Sequence, residues 1–484
     1  MFQVVAPPQP NIAALRPLCV DLDGTLVKSD TLIDSLLVLA RTRPTRLFAL
    51  PGRIFLGRAA FKAYVASSVS LDVAHLPYNR KLLHFLQEQK ARGRSIYLAT
   101  GADERLAQRV AAHLGIFSGV LASDGAINLT STKKLARLRS EFGDAAYDYI
   151  GNDVPDLPLI AHAADSMVAN PSLRLRLKLR MRKIQPAQSF IERGRPLASM
   201  LRAMRPHQWS KNLLIFLPLL LAHVLTPARL LAALVAFCSF SLTASSAYIF
   251  NDLLDIEADR RHKQKRQRPF ASGDLSPFTG LCMAACFLLA AFFAAHFLPI
   301  AFFAWLILYF ATTLAYTWFL KRIALVDVLV LSGLYTLRLL AGSAATQSQV
   351  SHWLGGFSIF LFFSLAIVKR FAELENLRAT GMPPKNGRGY LVSDIEQLRS
   401  FGTASAFAAI VIFAIYISGN DVTKLYHRPQ LLWLIMPLMI LWLCRVWLRA
   451  SRGTLNEDPI IFALTDRMSL TIGAGVAAVV LLAI

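Results

Sequence analysis

The apolar residues of this chain follow one pattern up to about residue 200 and a different one after it. In the first part the apolar runs have only the length of a strand, as in 18–20 and 95–99, and they alternate with charged stretches typical of helices. This alternation predicts an α/β domain. From about residue 212, apolar runs near the roughly 20 residues of a spanning helix are separated by short polar loops. The pattern predicts a soluble domain over 1–195 and a membrane domain over 196–484.

The membrane domain contains nine apolar runs that we predict to be spanning helices, so we expect an all-α bundle. They are 212–226, 228–250, 277–296, 298–318, 325–345, 353–369, 401–419, 430–448 and 468–484, of which the first and last are short. Loops after the even-numbered runs contain about 18 Lys and Arg, and the opposite loops about three. The positive-inside rule therefore places the soluble domain on the cytoplasmic side of the inner membrane.

Composition and charge agree with a membrane protein. Of the 484 residues 55% are hydrophobic and 17% are charged, and the net charge is +22. Positive charge on cytoplasmic loops faces anionic lipid, so we expect a lipid bilayer as partner and no nucleic acid. The five cysteines are scattered and odd in number, which indicates neither a disulfide framework nor a zinc site. The first residues lack the pattern of a cleavable signal peptide.

A basic segment connects the two parts. Residues 170–185 read NPSLRLRLKLRMRKIQ, in which apolar and basic residues alternate. A period of two favours a strand with a solvated basic face. A basic helix that lies on the lipid surface is the alternative.

Two carboxylates two residues apart follow the first apolar strand. Residues 18–27 read LCVDLDGTLV, which puts Asp21 and Asp23 at the end of a strand and before a glycine turn. This spacing places both side chains at the edge where α/β sheets build their sites. Such a pair can share the two tasks of phosphate-ester cleavage. One carboxylate attacks phosphorus, and the other transfers the proton of the leaving group. The alternative is an Asp pair that only ends the strand.

Further segments follow in an order that resembles a known family. Residues 96–101 (IYLATG) and 149–156 (YIGNDVPD) are strands that end in polar side chains, and Lys134 lies between them in NLTSTKKL. Together with DLDGT, they resemble the four motifs of the haloacid dehalogenase (HAD) superfamily of phosphatases. The resemblance covers about 15–190 and implies a Rossmann-like α/β fold with a small helical cap.

This resemblance implies catalytic roles. Asp21 is then the nucleophile that forms an aspartyl-phosphate, and Asp23 is the general acid and base. Thr100 and Lys134 bind the phosphoryl oxygens, with Lys133 as the alternative to Lys134.

The same resemblance implies a cofactor, Mg²⁺. Asp21, Asp153 and the main-chain carbonyl of Asp23 would hold the ion, and Asp156 would support Lys134 or the metal. A divalent cation and a lysine offset the charge of the transferring phosphoryl group, which is the physical need at such a site.

Three acids follow the second apolar run. If residues 251–260 (NDLLDIEADR) are helical, Asp252, Asp255 and Asp259 share one face. Acids on one face repel each other unless a cation lies between them, and oxygen ligands at this density suit Mg²⁺ shared with substrate phosphates. A solvated acidic loop is the alternative, although the basic run that follows at once is what a polyphosphate would also require.

The pattern NDxxDxxxD after a second span resembles the UbiA superfamily of intramembrane prenyltransferases, over about 200–484. RPHQWSKN at 205–212, the extended NDLLDIEADRRHKQKRQRPFASG, LKRIALVD ending at Asp327, LRLLAG around Arg338 and KRFAEL at 369–374 look like decaprenyl-phosphate 5-phosphoribosyltransferases within it. Those enzymes transfer 5-phosphoribose from phosphoribosyl diphosphate (PRPP) to a polyprenyl phosphate. Aromatic prenyltransferases have a second acidic motif, whereas here Leu331 stands four residues after Asp327.

Several residues are candidate ligands of the donor or acceptor phosphates. Asn251, Arg266, Arg268, Asp327 and Arg338 are candidates because they lie in the family-like pattern. Basic residues near predicted cytoplasmic span ends could also bind phosphate, or could be lipid anchors; they are Arg205, Lys211, Lys321 and Lys369.

The two resemblances together imply consecutive steps. Phosphoribosyl transfer leaves a phosphomonoester on the lipid, and the HAD-like domain would remove it to give polyprenyl-phosphoryl-ribose, a precursor for arabinan-type envelope glycans. The alternatives are an aromatic prenyltransferase that uses a prenyl diphosphate, a phosphatase that acts on an unrelated phosphomonoester, and a transporter or scaffold. The isoprenoid length and the oligomeric state do not follow from the sequence.

Overall fold

The computed structural model of the protein describes residues 16–192, 194–380, 388–423, 425–455 and 459–484. Their contacts form two compact units. The first unit combines the described part of Met1–Met204 with Tyr248–Met283, and the second combines Arg205–Ala247 with Ala284–Ile484. The acidic residues after the second predicted span therefore belong to the same unit as the N-terminal half.

The first unit is built on a six-stranded parallel sheet. Its strands are β1 (Leu18–Val20), β2 (Ile96–Asp103), β3 (Gly119–Ser123), β4 (Asp148–Gly151), β5 (Ser166–Ala169) and β6 (Gln188–Phe190), in the order β3-β2-β1-β4-β5-β6. Leu18 and Val20 pack in one buried cluster, whereas Cys19 packs in another. Both faces of the sheet are thus covered, as a parallel sheet requires, and the α/β prediction is confirmed.

Helices connect these strands, and one more follows the last strand. They are α1 (Thr31–Thr42), α2 (Leu50–Phe55), α3 (Arg58–Ser68), α4 (Arg80–Ala91), α5 (Glu104–Leu114), α6 (Thr132–Phe142), α7 (Leu157–His162), α8 (Leu173–Met181) and α9 (Pro196–Met204). The first three form a small helical insertion between β1 and β2. This insertion is the predicted helical cap.

The basic segment at 170–185 is helical, so the strand prediction is wrong. Within α8, Leu175 and Leu179 are buried, and a spacing of four places them on one face of a helix. The Ser172 hydroxyl accepts a hydrogen bond from the Leu175 amide (3.1 Å) and caps the helix. Burial of this leucine pair and the Ser172 cap thus stabilise a helix, although the period-two pattern predicts a strand.

The remaining helices lie between residue 217 and the C-terminal end of the chain. They are α10 (Leu217–Leu221), α11 (Pro227–Leu254), α12 (Ile256–Arg261), α13 (Pro277–Ala295), α14 (Ile300–Trp318), α15 (Val326–Thr346), α16 (His352–Thr380), α17 (Ile395–Ser418), α18 (Asn420–Thr423), α19 (Ile435–Ser451), α20 (Pro459–Thr465) and α21 (Arg467–Ala483). Within the described ranges, seven helical segments are long and apolar enough to cross a membrane. They contain α11, α13 to α17 and α19.

The predicted count of nine spans is not confirmed. The first predicted span, 212–226, is divided between a 3₁₀ helix (Pro206–Phe216) and the five-residue α10, and the last one is the shorter α21. Pro218, at the start of α10, interrupts the first of these. A Cβ atom at Gly342 would lie 2.2 Å from the Ile215 carbonyl oxygen, so the 3₁₀ segment packs directly on α15.

A buried ion pair joins the N-terminal half to α12. Arg260 lies 2.8 Å from the Asp34 carboxylate, whose side chain is fully buried, and donates to the Ser29 hydroxyl (3.1 Å). Ser29 in turn donates to Asp34 (2.7 Å). Since a buried carboxylate needs a cation, Arg260 fixes the start of α1 against α12.

We expect Arg260→Ala to destabilise the first unit by about 3–5 kcal/mol, because it leaves Asp34 buried without a cation. Arg261→Ala is the matched control. That side chain is 54% exposed and pairs with Asp72 and Glu257, so its loss should cost less than about 1 kcal/mol. Thermal unfolding of both purified variants measures the difference, and equal losses would contradict a structural role for the buried pair.

Candidate active sites

A cavity of about 420 Å³ lies at the carboxyl ends of β1 and β4. Its lining includes Asp21, Asp23, Lys28, Ser29, Asp30, Lys62, Gly101, Lys134, Asn152, Asp153, Asp156, Asn170, Ser172 and Ser276. We call it the strand-end cavity. Parallel strands place their carboxyl ends at one edge, which explains why motifs distant in sequence meet here.

Lys134 is the buried cation of the strand-end cavity. Its Nζ donates to Asp21 Oδ1 (2.7 Å) and to the Tyr149 hydroxyl (3.0 Å), and it lies 3.5 Å from Asp156 Oδ1. Tyr149 donates to the same Asp156 oxygen (2.7 Å). Two carboxylates therefore hold the ammonium group at one place.

Asp156 also organises the loop after β4. Its second oxygen accepts hydrogen bonds from the amides of Asn152 (3.0 Å) and Asp153 (3.3 Å). A Cβ atom at Gly151 would lie 2.7 Å from Asp156, so only glycine allows this approach. The loop is thereby fixed with Asp153 at the cavity.

Burial changes the pKa of the cavity groups. It raises the pKa of Asp21 to about 6 against the attraction of Lys134, and raises that of Asp23 to about 8 with help from Asp30. Burial lowers the pKa of Lys134, but Asp21 and Asp156 outweigh it, so the net shift is upward. Carboxylates that resist ionisation gain from a nearby divalent cation, and the oxygen donors of Asp21 and Asp153 fit Mg²⁺.

Unlike Asp21, Asp23 and Lys134, Thr100 is not one of the residues that line the strand-end cavity. It is fully buried, and its hydroxyl accepts from the Ala102 amide (3.0 Å), while the next residue, Gly101, lines the strand-end cavity. Asp153 Oδ1 accepts from the Ser172 hydroxyl (2.6 Å) and the Val154 amide (2.8 Å).

Lys62 was missed by the sequence analysis. It lies on α3, and its Nζ donates to the Gly101 carbonyl (2.6 Å) and to Asn128 Oδ1 (2.9 Å). Burial lowers its pKa. A single lysine in a helix has no distinguishing sequence signal, so only the fold reveals that it lines the strand-end cavity.

The acidic segment, residues 251–260, is not one continuous helix. α11 ends at Leu254 and α12 begins at Ile256, with Asp255 between them. The Asp252 and Asp259 carboxylates are buried, and one nitrogen of Arg268 donates to both, at 3.0 and 2.7 Å. Burial raises the pKa of Asp259, against Arg268.

Asp255 has a different partner. Arg41 on α1 donates to its carboxylate and to the Leu254 carbonyl (3.1 Å). No sequence pattern links residues so far apart, so Arg41 was not predicted. Of the other candidates here, Asn251 is half-buried in α11 and Arg266 is exposed.

The acidic segment could bind a metal ion only if substrate phosphates supplied some of the ligands. Among the residues that the structure describes, no group of three or more His, Cys, Asp or Glu side chains is arranged to hold a metal ion. Asp252 and Asp259 nevertheless already share one cation, the Arg268 guanidinium. Mg²⁺ is commonly bound by one or two carboxylates plus substrate phosphates, and these two side chains fit that arrangement.

The second unit contains the other candidate ligands. Lys211 and Lys369 line a small cavity of about 60 Å³ with Tyr335, and Lys211 Nζ lies 5.8 Å from the centre of the Tyr335 ring. Arg205 and Lys321 are half-buried near 3₁₀ helices. The structure thus brings together two of these four basic residues.

Asp327 and Arg338 lie in buried side-chain networks. Asp327 accepts from Arg370 Nε (2.6 Å) and from the Tyr390 hydroxyl. Arg338 donates to Asn212 Oδ1 (2.8 Å) and stacks over an aromatic ring. Both side chains therefore stabilise helix packing, and direct substrate contact would need rearrangement.

Known proteins resemble the chain over both halves. It is 37% identical to an uncharacterized protein, y4nM, of Sinorhizobium fredii, over 96% of this chain and 91% of that one. It is 35% identical to the nodulation protein NoeC of Azorhizobium caulinodans (58% and 92%). It is 31% identical to the decaprenyl-phosphate phosphoribosyltransferase of Mycolicibacterium smegmatis (46% and 72%).

Solved structures align with each half. A UbiA homolog from Archaeoglobus fulgidus bound to DMAPP and Mg²⁺ aligns with a TM-score of 0.46 and 19% identity, over 58% of this chain and 99% of that one. A HAD family hydrolase from Salmonella enterica serovar Typhi aligns with a TM-score of 0.26 and 16% identity (34% and 65%). Residues 213–470 match the UbiA prenyltransferase family. Since that match covers more than half of the 484 residues, the chain belongs to the UbiA prenyltransferase family.

Proposed function

We propose that this chain transfers 5-phosphoribose from PRPP to a polyprenyl phosphate in the membrane and then removes the 5-phosphate from the lipid product. The observation that carries the proposal is that the strand-end cavity and the acidic segment belong to one compact unit. A phosphate-ester site and a diphosphate site in one unit suit two consecutive reactions on one molecule. We place the phosphatase in 1–195 and the transferase in 196–484, both acting at the cytoplasmic side of the inner membrane.

The acidic segment would bind the diphosphate of PRPP. Bound Mg²⁺ would supply positive charge to the departing diphosphate. Asp252 and Asp259 would hold the ion together with Asp255, and Arg268 would turn from these carboxylates to the diphosphate. A lipid phosphate oxygen attacks ribose C1 as the bond to diphosphate breaks, and no general base is needed because the acceptor is already an anion.

Several observations favour PRPP over a prenyl diphosphate as the donor. The mycobacterial relative is named a decaprenyl-phosphate phosphoribosyltransferase. Asp327, the candidate for a second acidic motif, is bound to Arg370 and Tyr390. One acidic segment with basic residues nearby suits a donor that carries both a diphosphate and a 5-phosphate. Lys211 and Lys369 share a cavity that could hold a phosphate of acceptor or donor.

The strand-end cavity would hydrolyse the 5-phosphate. An Asp21 oxygen attacks phosphorus, the ester bond to the ribose oxygen breaks, and Asp23 gives that oxygen a proton. Lys134 binds phosphoryl oxygens, and Tyr149 and Asp156 keep its ammonium group in place. Water then attacks the aspartyl-phosphate, with Asp23 accepting the proton, and inorganic phosphate leaves.

Transfer of phosphoribose should depend on Asp252. We expect Asp252→Asn to reduce the incorporation of ribose label from PRPP into decaprenyl phosphate by at least about a hundredfold. The reason is that the Mg²⁺ that would bind the diphosphate loses a carboxylate ligand. Glu257→Gln is the control, since that side chain lies in the same segment and pairs with the exposed Arg261. Thin-layer chromatography of the lipid phase measures both. If the wild type incorporates no label while labelled prenyl diphosphate reacts with hydroxybenzoate, the aromatic alternative replaces this proposal.

Dephosphorylation should depend on Asp21. Asp21→Asn removes the nucleophile, so it should slow phosphate release by at least about a thousandfold and leave the lipid phosphorylated. Label transfer to lipid should stay normal in this variant. Asp124→Asn, an exposed acid in the same unit, is the control. Release of the 5-phosphate at an unchanged rate would show that the cavity acts on another phosphomonoester.

Arg41 should weaken metal binding at the acidic segment. Its guanidinium competes with a metal ion for Asp255, so Arg41→Gln should tighten the binding of Mn²⁺ alone, about threefold to tenfold. Electron paramagnetic resonance titration measures free Mn²⁺. Arg46→Gln changes an exposed arginine of the same insertion and serves as control. Equal affinities in the two variants would mean that Arg41 does not compete with the metal.

A further inference from the structure

Two segments of the first unit expose large apolar side chains beside basic ones. The first is the α8 segment, residues 173–183, and the second is the α2 segment, residues 43–58. Neither takes part in the reactions proposed above. Monomeric soluble proteins rarely expose such patches, so each calls for a partner.

The α8 segment presents an apolar stripe. Leu173, Leu177 and Met181 are 76%, 62% and 82% exposed, and their spacing of four places them on one face of the helix. The opposite positions, Leu175 and Leu179, are buried and hold the helix to the sheet. The stripe is therefore a fixed feature of a well-packed helix.

Positive charge surrounds this stripe. Six basic side chains in the segment are exposed: Arg174, Arg176, Lys178, Arg180, Arg182 and Lys183. Within the described part of the chain, none of them forms an ion pair, and 166–191 contains no Asp or Glu. The segment would attract a surface that is rich in negative charge.

The α2 segment has the same character. Phe48 and Phe55 are 88% and 90% exposed, and Ile54 and Leu56 are exposed as well. Four arginines, at 43, 46, 53 and 58, accompany them, and 35–71 contains no acid. Aromatic rings and arginines are typical of a membrane–water interface.

We propose that both segments bind the surface of an anionic lipid bilayer. The apolar side chains would enter the headgroup region, and the arginines and lysines would pair with lipid phosphates. Charge complementarity favours this partner, and the spanning helices of the same chain guarantee that a bilayer is present. This inference does not rest on the proposed reactions.

Each segment is connected to the strand-end cavity. Ser172, which caps α8, lines the cavity and donates to Asp153 (2.6 Å). Lys62, on the helix that follows the α2 segment, lines it as well. Lipid binding at these segments would hold the cavity near the headgroups, where a lipid-linked phosphomonoester would be found.

Hydrogen–deuterium exchange of the full-length protein tests the proposal. The protein is reconstituted in nanodiscs of phosphatidylcholine alone or of phosphatidylcholine mixed with phosphatidylglycerol. We expect amides of the α8 and α2 segments to exchange at least about fivefold more slowly with the anionic lipid, while α5 is unchanged. Salt at about 1 M should remove the difference, because it screens surface charge.

Paired variants identify the cause. Lys178→Gln with Arg180→Gln should abolish the added protection of α8, whereas Lys81→Gln with Arg92→Gln, two exposed basic residues at α4, should leave it intact. Equal exchange in the two lipids would overturn the proposal. Protection that follows protein concentration instead of lipid charge would also overturn it, because a second copy would then cover these segments.

Discussion

Carboxylates that are taken out of water need a cation within hydrogen-bonding distance, and the first unit is organised around this requirement. Lys134 forms an ion pair with Asp21, and Arg260 forms one with Asp34. Arg268 donates hydrogen bonds to the Asp252 and Asp259 carboxylates of the acidic segment. Each of these contacts joins parts of the chain that are separate in sequence or in secondary structure. Of these cations, Arg268 is the one that we propose to leave its carboxylates, Asp252 and Asp259, when Mg²⁺ and diphosphate bind, whereas Arg260 and Lys134 stay in place.

Local motifs were sufficient to predict much of this arrangement. Asp21, Asp23 and Asp153 follow strands, and parallel strands bring their carboxyl ends to one edge, so the strand-end cavity contains them as expected. Lys134, which was preferred to Lys133, donates a hydrogen bond to Asp21. The roles of these residues in catalysis stay predictions.

Contacts across long sequence separations could not be predicted. Nothing in the sequence relates Arg41 to Asp255, or Lys62 to the strand-end cavity, because each depends on how the helical insertion folds back. The period-two pattern of α8 predicted a strand. The segment is a helix because burial of Leu175 and Leu179 on one helix face and capping by Ser172 stabilise that structure. In the membrane part, hydropathy predicted nine runs, but Pro218 lies where the first of them changes from a 3₁₀ helix to a short α-helix.

We propose that one chain adds a phosphorylated sugar to a lipid and then removes the phosphate. PRPP labelled with ¹⁴C in the ribose and ³²P at the 5-phosphate tests it directly, with the wild-type protein, Mg²⁺ and decaprenyl phosphate. We expect both labels to enter the lipid together, and ³²P then to appear as inorganic phosphate while ¹⁴C stays in the lipid. A lipid that keeps both labels in constant ratio, or one that never acquires ¹⁴C, would contradict it.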